Sequence, residues 1–225
     1  QSLRKALDQA ANDVQNAVVT SSAGIKALKL KGWTATGFAN DAITAPWLSA
    51  LTVREGFAAD LVLSGAGAPK STALGSAKIG QGLNTLLWTI AAGNVGTINV
   101  GGSVADGWVG NFAGAFKALT VKGDFLGDLC ATVINTFGVT GNVVGSNVKV
   151  GGSFGTDNVP NTIDDTQTAG TLKTIAIKGN ATDANFYAGI NGDPNNPTGS
   201  KIGSVTVVGV ADGATFFIGE FLPTT

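Results

Sequence analysis

The sequence predicts an all-β solenoid, a chain wound into stacked coils of short strands. The first observation is a recurring phrase: apolar, two spacers, apolar, spacer, apolar, spacer, glycine. It reads IKALKLKG from residue 25, FKALTVKG from 116 and LKTIAIKG from 172. The second is composition. Of 225 residues, 33 are glycine and only 13% are charged, against 44% hydrophobic, a balance that suits strands and turns rather than Lys/Glu-rich helices. Self-similarity at intervals of 20 to 50 residues is the mark of repeat architectures, in which one continuous core runs through stacked units.

The opening QSLRKALDQAANDVQNAVVTSS stands outside the repeat. Leu3, Leu7, Ala10, Val14 and Val18 fall three or four residues apart and Ser2 is placed to cap, so the spacing predicts an amphipathic helix over about residues 3–18. Residues 1–22 then form a cap or docking segment, and residues 23–225 the solenoid. Written as its central apolar pair and closing glycine, the phrase gives Leu28/Leu30/Gly32, Ile98/Val100/Gly102, Leu119/Val121/Gly123, Val148/Val150/Gly152, Ile175/Ile177/Gly179 and Val205/Val207/Gly209. Leu51 and Val53 match with the glycine displaced to Gly56, and a poorer copy lies near Leu83 and Leu86. Period-two alternation makes each copy a short strand with one buried face, and the glycine marks a corner. Copies beginning at 95, 116, 145, 172 and 202 are 21, 29, 27 and 30 residues apart, one coil each with loops of varying length. Seven or eight coils at a strand spacing of about 4.8 Å make a rod of about 35–40 Å.

The spacers define the wet face. Lys26, Lys29, Lys31, Arg54, Lys117, Lys122, Lys149, Lys173 and Lys178 all fall on spacer positions and predict a basic ladder. Asp60, Asp106, Asp128, Asp183 and Asp212 follow the glycine corners and predict an acidic row beside it. Opposite rows at strand spacing offset like-charge repulsion and discourage wrong pairing of exposed strands. The sharper reading of the ladder is a polyanion-binding stripe.

Composition also excludes. The net charge of −1 and the lack of any basic block argue against nucleic acid. No run of about 18 apolar residues occurs, which argues against a membrane span. There is no histidine, which removes Ser/His/Asp and Cys/His nucleophile arrangements and the usual zinc ligand sets. Carboxylate-based polysaccharide lyases and hydrolases survive that test, but the carboxylates are spread one per coil, and no catalytic residue is assigned. The lone Cys130, in the apolar run DLCATVI, reads as a buried, inert thiol. The chain opens on Gln1 and contains no methionine, which favours a processed, exported chain or a fragment of a longer one. Two loops carry oxygen ligands of the kind calcium takes: GTDNVPNTIDD, with Asp157, Asn158, Asp164 and Asp165, and NGDPNNPTG, with Asp193 and Asn195. No other cofactor is expected.

From FGTDNVPNTIDD at 154 through IGSVTVVG at 202 to FIGEFLP at 217, the chain resembles the right-handed parallel β-helix repeats of large secreted and surface proteins of planctomycete-type bacteria. The resemblance implies a right-handed parallel β-helix, an extracellular or cell-surface location and a scaffold or adhesive role. The leading expectation is a non-enzymatic structural subunit of a filament, surface layer or stalk that assembles head-to-tail with copies of itself. Its contacts would be the stripe Leu3, Leu7, Val14, Val18 at one end and Phe216, Phe217, Ile218, Phe221, Leu222 at the other. The alternative is a carbohydrate-binding or carbohydrate-active solenoid, an adhesin or polysaccharide-degrading protein, in which Trp33, Trp47, Trp88 and Trp108 stack on the sugars of a surface polysaccharide.

Overall fold

The computed structural model describes residues 9–35, 41–84, 87–159, 166–189 and 199–218. Among them the chain is almost wholly β and alternates between two nine-stranded parallel sheets. Sheet one contains Gln9–Gln15, Leu28–Thr34, Leu48–Val53, Thr72–Ile79, Asn94–Val100, Ala115–Val121, Val133–Val139, Thr171–Ile177 and Lys201–Val207. Sheet two contains Val18–Thr20, Ala42–Ala45, Asp60–Leu63, Leu87–Ile90, Val109–Phe112, Asp128–Ala131, Asn147–Val150, Asn185–Ala188 and Thr215–Ile218. One strand of each makes a coil, numbered 1 to 9 from the N-terminus. A third line of parallel contacts runs along the corner between them, from Trp33 through Phe57, Leu83, Val104 and Phe125 to Val143, and on through Ala181–Thr182 and Ala211–Asp212. The arrangement is compatible with the parallel solenoid that the repeats predict, and eight intervals of about 4.8 Å give a stack of about 38 Å. Among the described residues no helix is long and apolar enough to cross a membrane.

The expected N-terminal helix is absent from the described part of its range. Gln9–Gln15 and Val18–Thr20 are strands that supply coil 1, with Val14 paired to Trp33 and Val18 to Ala42. Coil 2 offers a row of main-chain donors and acceptors along its edge, and pairing with it satisfies more backbone than an isolated helical turn does. Lys31 strengthens the choice: its Nζ lies 2.9 Å from Asp13 in coil 1 and 3.6 Å from Glu55 in coil 3.

The repeats stack as expected on sheet one, with two corrections. Leu28, Leu51, Ala77, Ile98, Leu119, Phe137, Ile175 and Val205 form one inward column, and Leu30, Val53, Ile79, Val100, Val121, Val139, Ile177 and Val207 the next. Ala77/Ile79 and Phe137/Val139 are therefore copies of the phrase. Val148/Val150 is not, because it belongs to sheet two, where it stacks on Leu129/Ala131. Leu83 serves the corner instead.

An aromatic file runs up the interior: Trp33, Phe57, Trp88, Trp108, Phe125, Phe137, Phe186 and Phe216, with successive ring centroids 5.7, 6.0, 6.2, 6.0, 5.1, 5.7 and 5.0 Å apart. All contacts are edge-to-face except the last, which is stacked. Edge-to-face geometry lets the positive rim of one ring meet the negative face of the next.

The corner glycines are required for closeness rather than for a positive φ. The N–H of Gly123, Gly141, Gly179 and Gly209 donates to the carbonyl of the preceding corner glycine at 2.9–3.1 Å, extending the parallel ladder round the bend. A Cβ on Gly141 would lie 2.6 Å from the backbone of Gly123. We expect Gly141→Ala to destabilise the chain by about 1–3 kcal/mol. Gly138→Ala, whose new methyl would meet nothing closer than Leu119 O at 3.6 Å, should be neutral or stabilising by about 0.4–1 kcal/mol. Equal melting temperatures for the two variants would refute the close-approach account. Val121, fully buried between Val100 and Val139, tests the core: Val121→Asp should lower stability by several kcal/mol, and a melt within a degree or two of the parent would overturn the stacked-core assignment.

Candidate functional site

Side chains facing inward are committed to the stack, so function falls to the ends, the loops and the outer faces. Coil 9 is the last described coil. Its strand Thr215–Ile218 carries Phe216, Phe217 and Ile218 at 37%, 40% and 43% exposure, and Val205 on its other strand is 39% exposed. These are the positions that a further coil would cover. At the opposite end Val14 packs against the core, while Val18 is 62% exposed. The structure thus places Phe216, Phe217 and Ile218 together on one edge and separates Val18 from Val14. Leu3, Leu7, Phe221 and Leu222 lie outside the described residues.

The described part of the long connection between coils 7 and 8 folds over the outer face of sheet two. Gly152–Ser153 pairs antiparallel with Thr166–Gln167, and Phe154 is fully buried. Three buried side chains of sheet two meet this segment: Asn111 Nδ2 donates to Asn158 Oδ1 at 2.8 Å, Cys130 Sγ donates to Gly152 O at 3.1 Å, and Lys149 Nζ stands 6.0 Å from the Phe154 ring centroid. Asn158, expected as a calcium ligand, therefore turns its oxygen toward Asn111. Asp157 is exposed, and its Oδ1 accepts from Val159 N at 2.9 Å within the turn. Asp164, Asp165, Asp193 and Asn195 lie outside the described residues. Among the described residues no group of three or more His, Cys, Asp or Glu is placed to hold a metal ion.

The two charged rows are arranged differently from the expectation. Lys149 is not on the ladder, since it lies on sheet two, buried beneath the connecting segment. The other eight predicted cations do share the outer face of sheet one, and Lys78 and Lys201 join them, which makes ten of the chain's 14 basic residues. Eight of the nine strands of that sheet contain no Asp or Glu, Asp13 in coil 1 being the exception. The acids do not form one row beside the cations. Asp60 and Asp128 head strands of sheet two with Leu87 and Val109 between them, Asp183 and Asp212 neighbour each other at the corner, and Asp106 sits in a turn. At the C-terminal end of the basic face a hollow of about 630 Å³ is lined by Thr171, Lys173, Lys201, Gly203 and Ser204.

Trp33, Trp88 and Trp108, which a sugar-stacking groove would need on the surface, are buried in the aromatic file. Trp47 is half-buried and lies against Gly24. Sequence reasoning missed a polar ladder just past the glycine corners: Asp124 Oδ1 accepts from Asn142 N at 2.7 Å, Asn142 Oδ1 from Asn180 N at 2.9 Å, and Asn180 Oδ1 from Val210 N at 2.9 Å. The signal was present, since Gly-Asp, Gly-Asn and Gly-Asn close three copies of the phrase.

A second ladder begins at Asp128, whose Oδ1 accepts from Asn147 N at 2.7 Å and Nδ2 at 3.0 Å. Burial raises its carboxyl above the ordinary aspartate range, the Asn147 hydrogen bonds oppose the rise, and the nearby charge of Asp106 adds to it. A raised acid favours the protonated folded state, so its stabilisation is present below the ordinary value and is lost as pH rises through the folded one. Asn in its place can still accept both hydrogen bonds. The melting temperature of Asp128→Asn minus that of the parent should therefore increase from about pH 3.5 to about pH 6, and a difference that shrinks over that range would contradict the assignment.

Taken together, the geometry defines a coil-stacked parallel β protein with a basic outer face and an exposed apolar edge at its last described coil. A scan of protein-family models finds no match to this chain, and searches of curated proteins and of solved structures find none.

Proposed function

We propose that the chain is a non-enzymatic structural protein, a right-handed parallel β-helix that lengthens by stacking coil 9 of one copy on coil 1 of the next. Right-handedness follows the strong chiral preference of parallel crossovers, about 98% of which are right-handed. The observation that carries the reading is the edge of coil 9, where Phe216, Phe217, Ile218 and Val205 are exposed beside a row of strand backbone that meets no further strand among the described residues. Stacked in register, a second copy would set Val18–Thr20 on Thr215–Phe217, as the equivalent strands pair within one copy. Such a contact is heterologous and does not close on itself, so it builds a linear polymer rather than a dimer. An extracellular or cell-surface setting, as a filament, surface layer or stalk, belongs to this proposal and rests on the resemblance of the repeats to secreted β-helix proteins. The carbohydrate reading built on surface tryptophans loses its main support, because three of the four occupy the core.

Sedimentation of the purified chain over a concentration series tests the proposal. High-mass species should grow with concentration, and Phe217→Lys combined with Ile218→Asp should abolish them while leaving the β-rich circular dichroism spectrum intact. A parent chain that stays monomeric throughout would show that something else covers the edge, whether residues 219–225 or further coils of a longer chain. A charged variant that still polymerises would equally overturn the assignment.

A further inference from the structure

The outer face of sheet one has a charge pattern that the stack does not need. Outward positions of a solvated sheet are satisfied by any polar residue, and acids would serve as well as lysines. Yet in coils 2 to 9 this face carries ten cations on its strands and their flanks against one acid, Glu55 beside Arg54, in a chain whose overall charge is −1. Lys31 is neutralised by Asp13 and Glu55. Lys117, Lys122, Lys173, Lys178 and Lys201 are exposed and have no ion-pair partner among the described residues.

Their placement is regular. Coil 6 contributes Lys117 and Lys122, and coil 8 contributes Lys173 and Lys178 at the equivalent positions, since Leu119 stacks on Phe137 and Phe137 on Ile175. The pairs are thus two coils apart, about 10 Å along the stack. Within each coil the two lysines are five residues apart along an extended strand, which separates two parallel tracks by about 16 Å. Coil 7 sets Asn135 and Thr140 between them, so from coil 6 to coil 8 each track reads cation, neutral hydrogen-bonding group, cation. Between the tracks, Thr97, Thr136, Thr174 and Ser204 add hydroxyls in one column. Gly203, opposite Lys173, presents bare backbone and deepens the hollow walled by Lys173, Lys201, Thr171 and Ser204.

We propose that this face binds a linear acidic polysaccharide lying along the stack, with its anionic groups on the lysines and its hydroxyls on the Thr, Ser and Asn side chains between them. The recognised chemistry is a carboxylate or sulfate repeated along a flexible, hydroxyl-rich chain. A single-stranded nucleic acid is the poorer occupant, because its bases need aromatic platforms. The outward positions of this sheet in coils 2 to 9 hold no Phe, Tyr or Trp. The inference does not depend on the assembly reading, since all its groups lie on one face of one copy.

The test measures retention of the full chain on immobilised polygalacturonate, which carries carboxylates, and on dextran sulfate, with neutral dextran as the blank and a single-stranded oligonucleotide as the competing polyanion. The parent should bind at least one acidic polysaccharide, release it at high salt and ignore neutral dextran. Replacing Lys117, Lys122, Lys173 and Lys178 together by Gln should weaken that binding by about tenfold or more, as four modest surface charge contacts predict, with the circular dichroism spectrum unchanged. Lys70→Gln, in the turn Pro69–Ser71 before the strand of coil 4 and outside both lysine tracks, should leave it unaltered. Preference between the two polymers identifies the anion. The same measurements on Phe217→Lys/Ile218→Asp should give the same retention per chain, so a failure to assemble is distinguishable from a failure to bind. No retention on either polymer, equal retention by the fourfold variant, or tighter binding of the oligonucleotide would each overturn the proposal.

Discussion

Every coil of this protein lies one strand spacing from the next along both sheets and the corner that joins them. On the sheets that spacing is met automatically by parallel pairing. At the corners it is not, because a bend that brings two backbones together has no room for a side chain between them. The run Gly123, Gly141, Gly179 and Gly209 is the consequence, each donating to the glycine before it where a methyl group would collide. The amide ladder past that corner solves the same problem for the next residue: Asp124, Asn142 and Asn180 each accept from a main-chain N–H of the following coil, satisfying donors that the bend takes out of the sheet.

The same spacing shapes the interior. Rings in successive coils cannot avoid each other, and the file from Trp33 to Phe186 resolves the crowding with edge-to-face contacts at 5.1–6.2 Å. Only Phe186 and Phe216 stack flat, 5.0 Å apart, at the last described coil. Indole N–H groups need separate provision. Trp33 donates to Asp41 Oδ1 at 2.9 Å, an oxygen that also accepts from Ala17 N at 2.6 Å and so ties coil 1 to the stack.

What could be read from the sequence follows from how strongly this spacing constrains each position. The phrase was legible on sheet one because its inward pair repeats with little freedom. Ala77/Ile79 escaped notice because alanine weakens the apolar signal, and Phe137/Val139 because Val148/Val150, followed by a glycine, imitates the phrase from sheet two. The N-terminal strands were misread because Ala10, Val14 and Val18 satisfy a helical spacing, and only the exposed edge of coil 2 decides against it. Three tryptophans looked like a sugar platform because sequence shows that an aromatic is present and not which way the corner turns it. The basic character of the outer face was legible from the spacers, but its separation from the acids was not. That depends on which aspartates head strands of sheet two, and Lys149 could not be removed from the ladder without knowing that its strand lies there.

The inward and outward columns obey different rules, and this separates the two functional readings while linking their consequences. Inward residues must match their neighbours in volume, so they specify the stack and, at an exposed edge, what can continue it. Outward residues touch solvent and can be exchanged freely, so a cation-rich face persists at no cost to the core. Were coil 9 to continue into coil 1 of another copy at the same spacing, the outward columns would continue as well, and the basic faces of successive copies would fall in line. A polyanion long enough to span the junction would then meet several weak sites in series, each raising the effective concentration of the next. A face whose single contacts are individually modest gains useful affinity in this way, through repetition, which is what a stacked coil supplies.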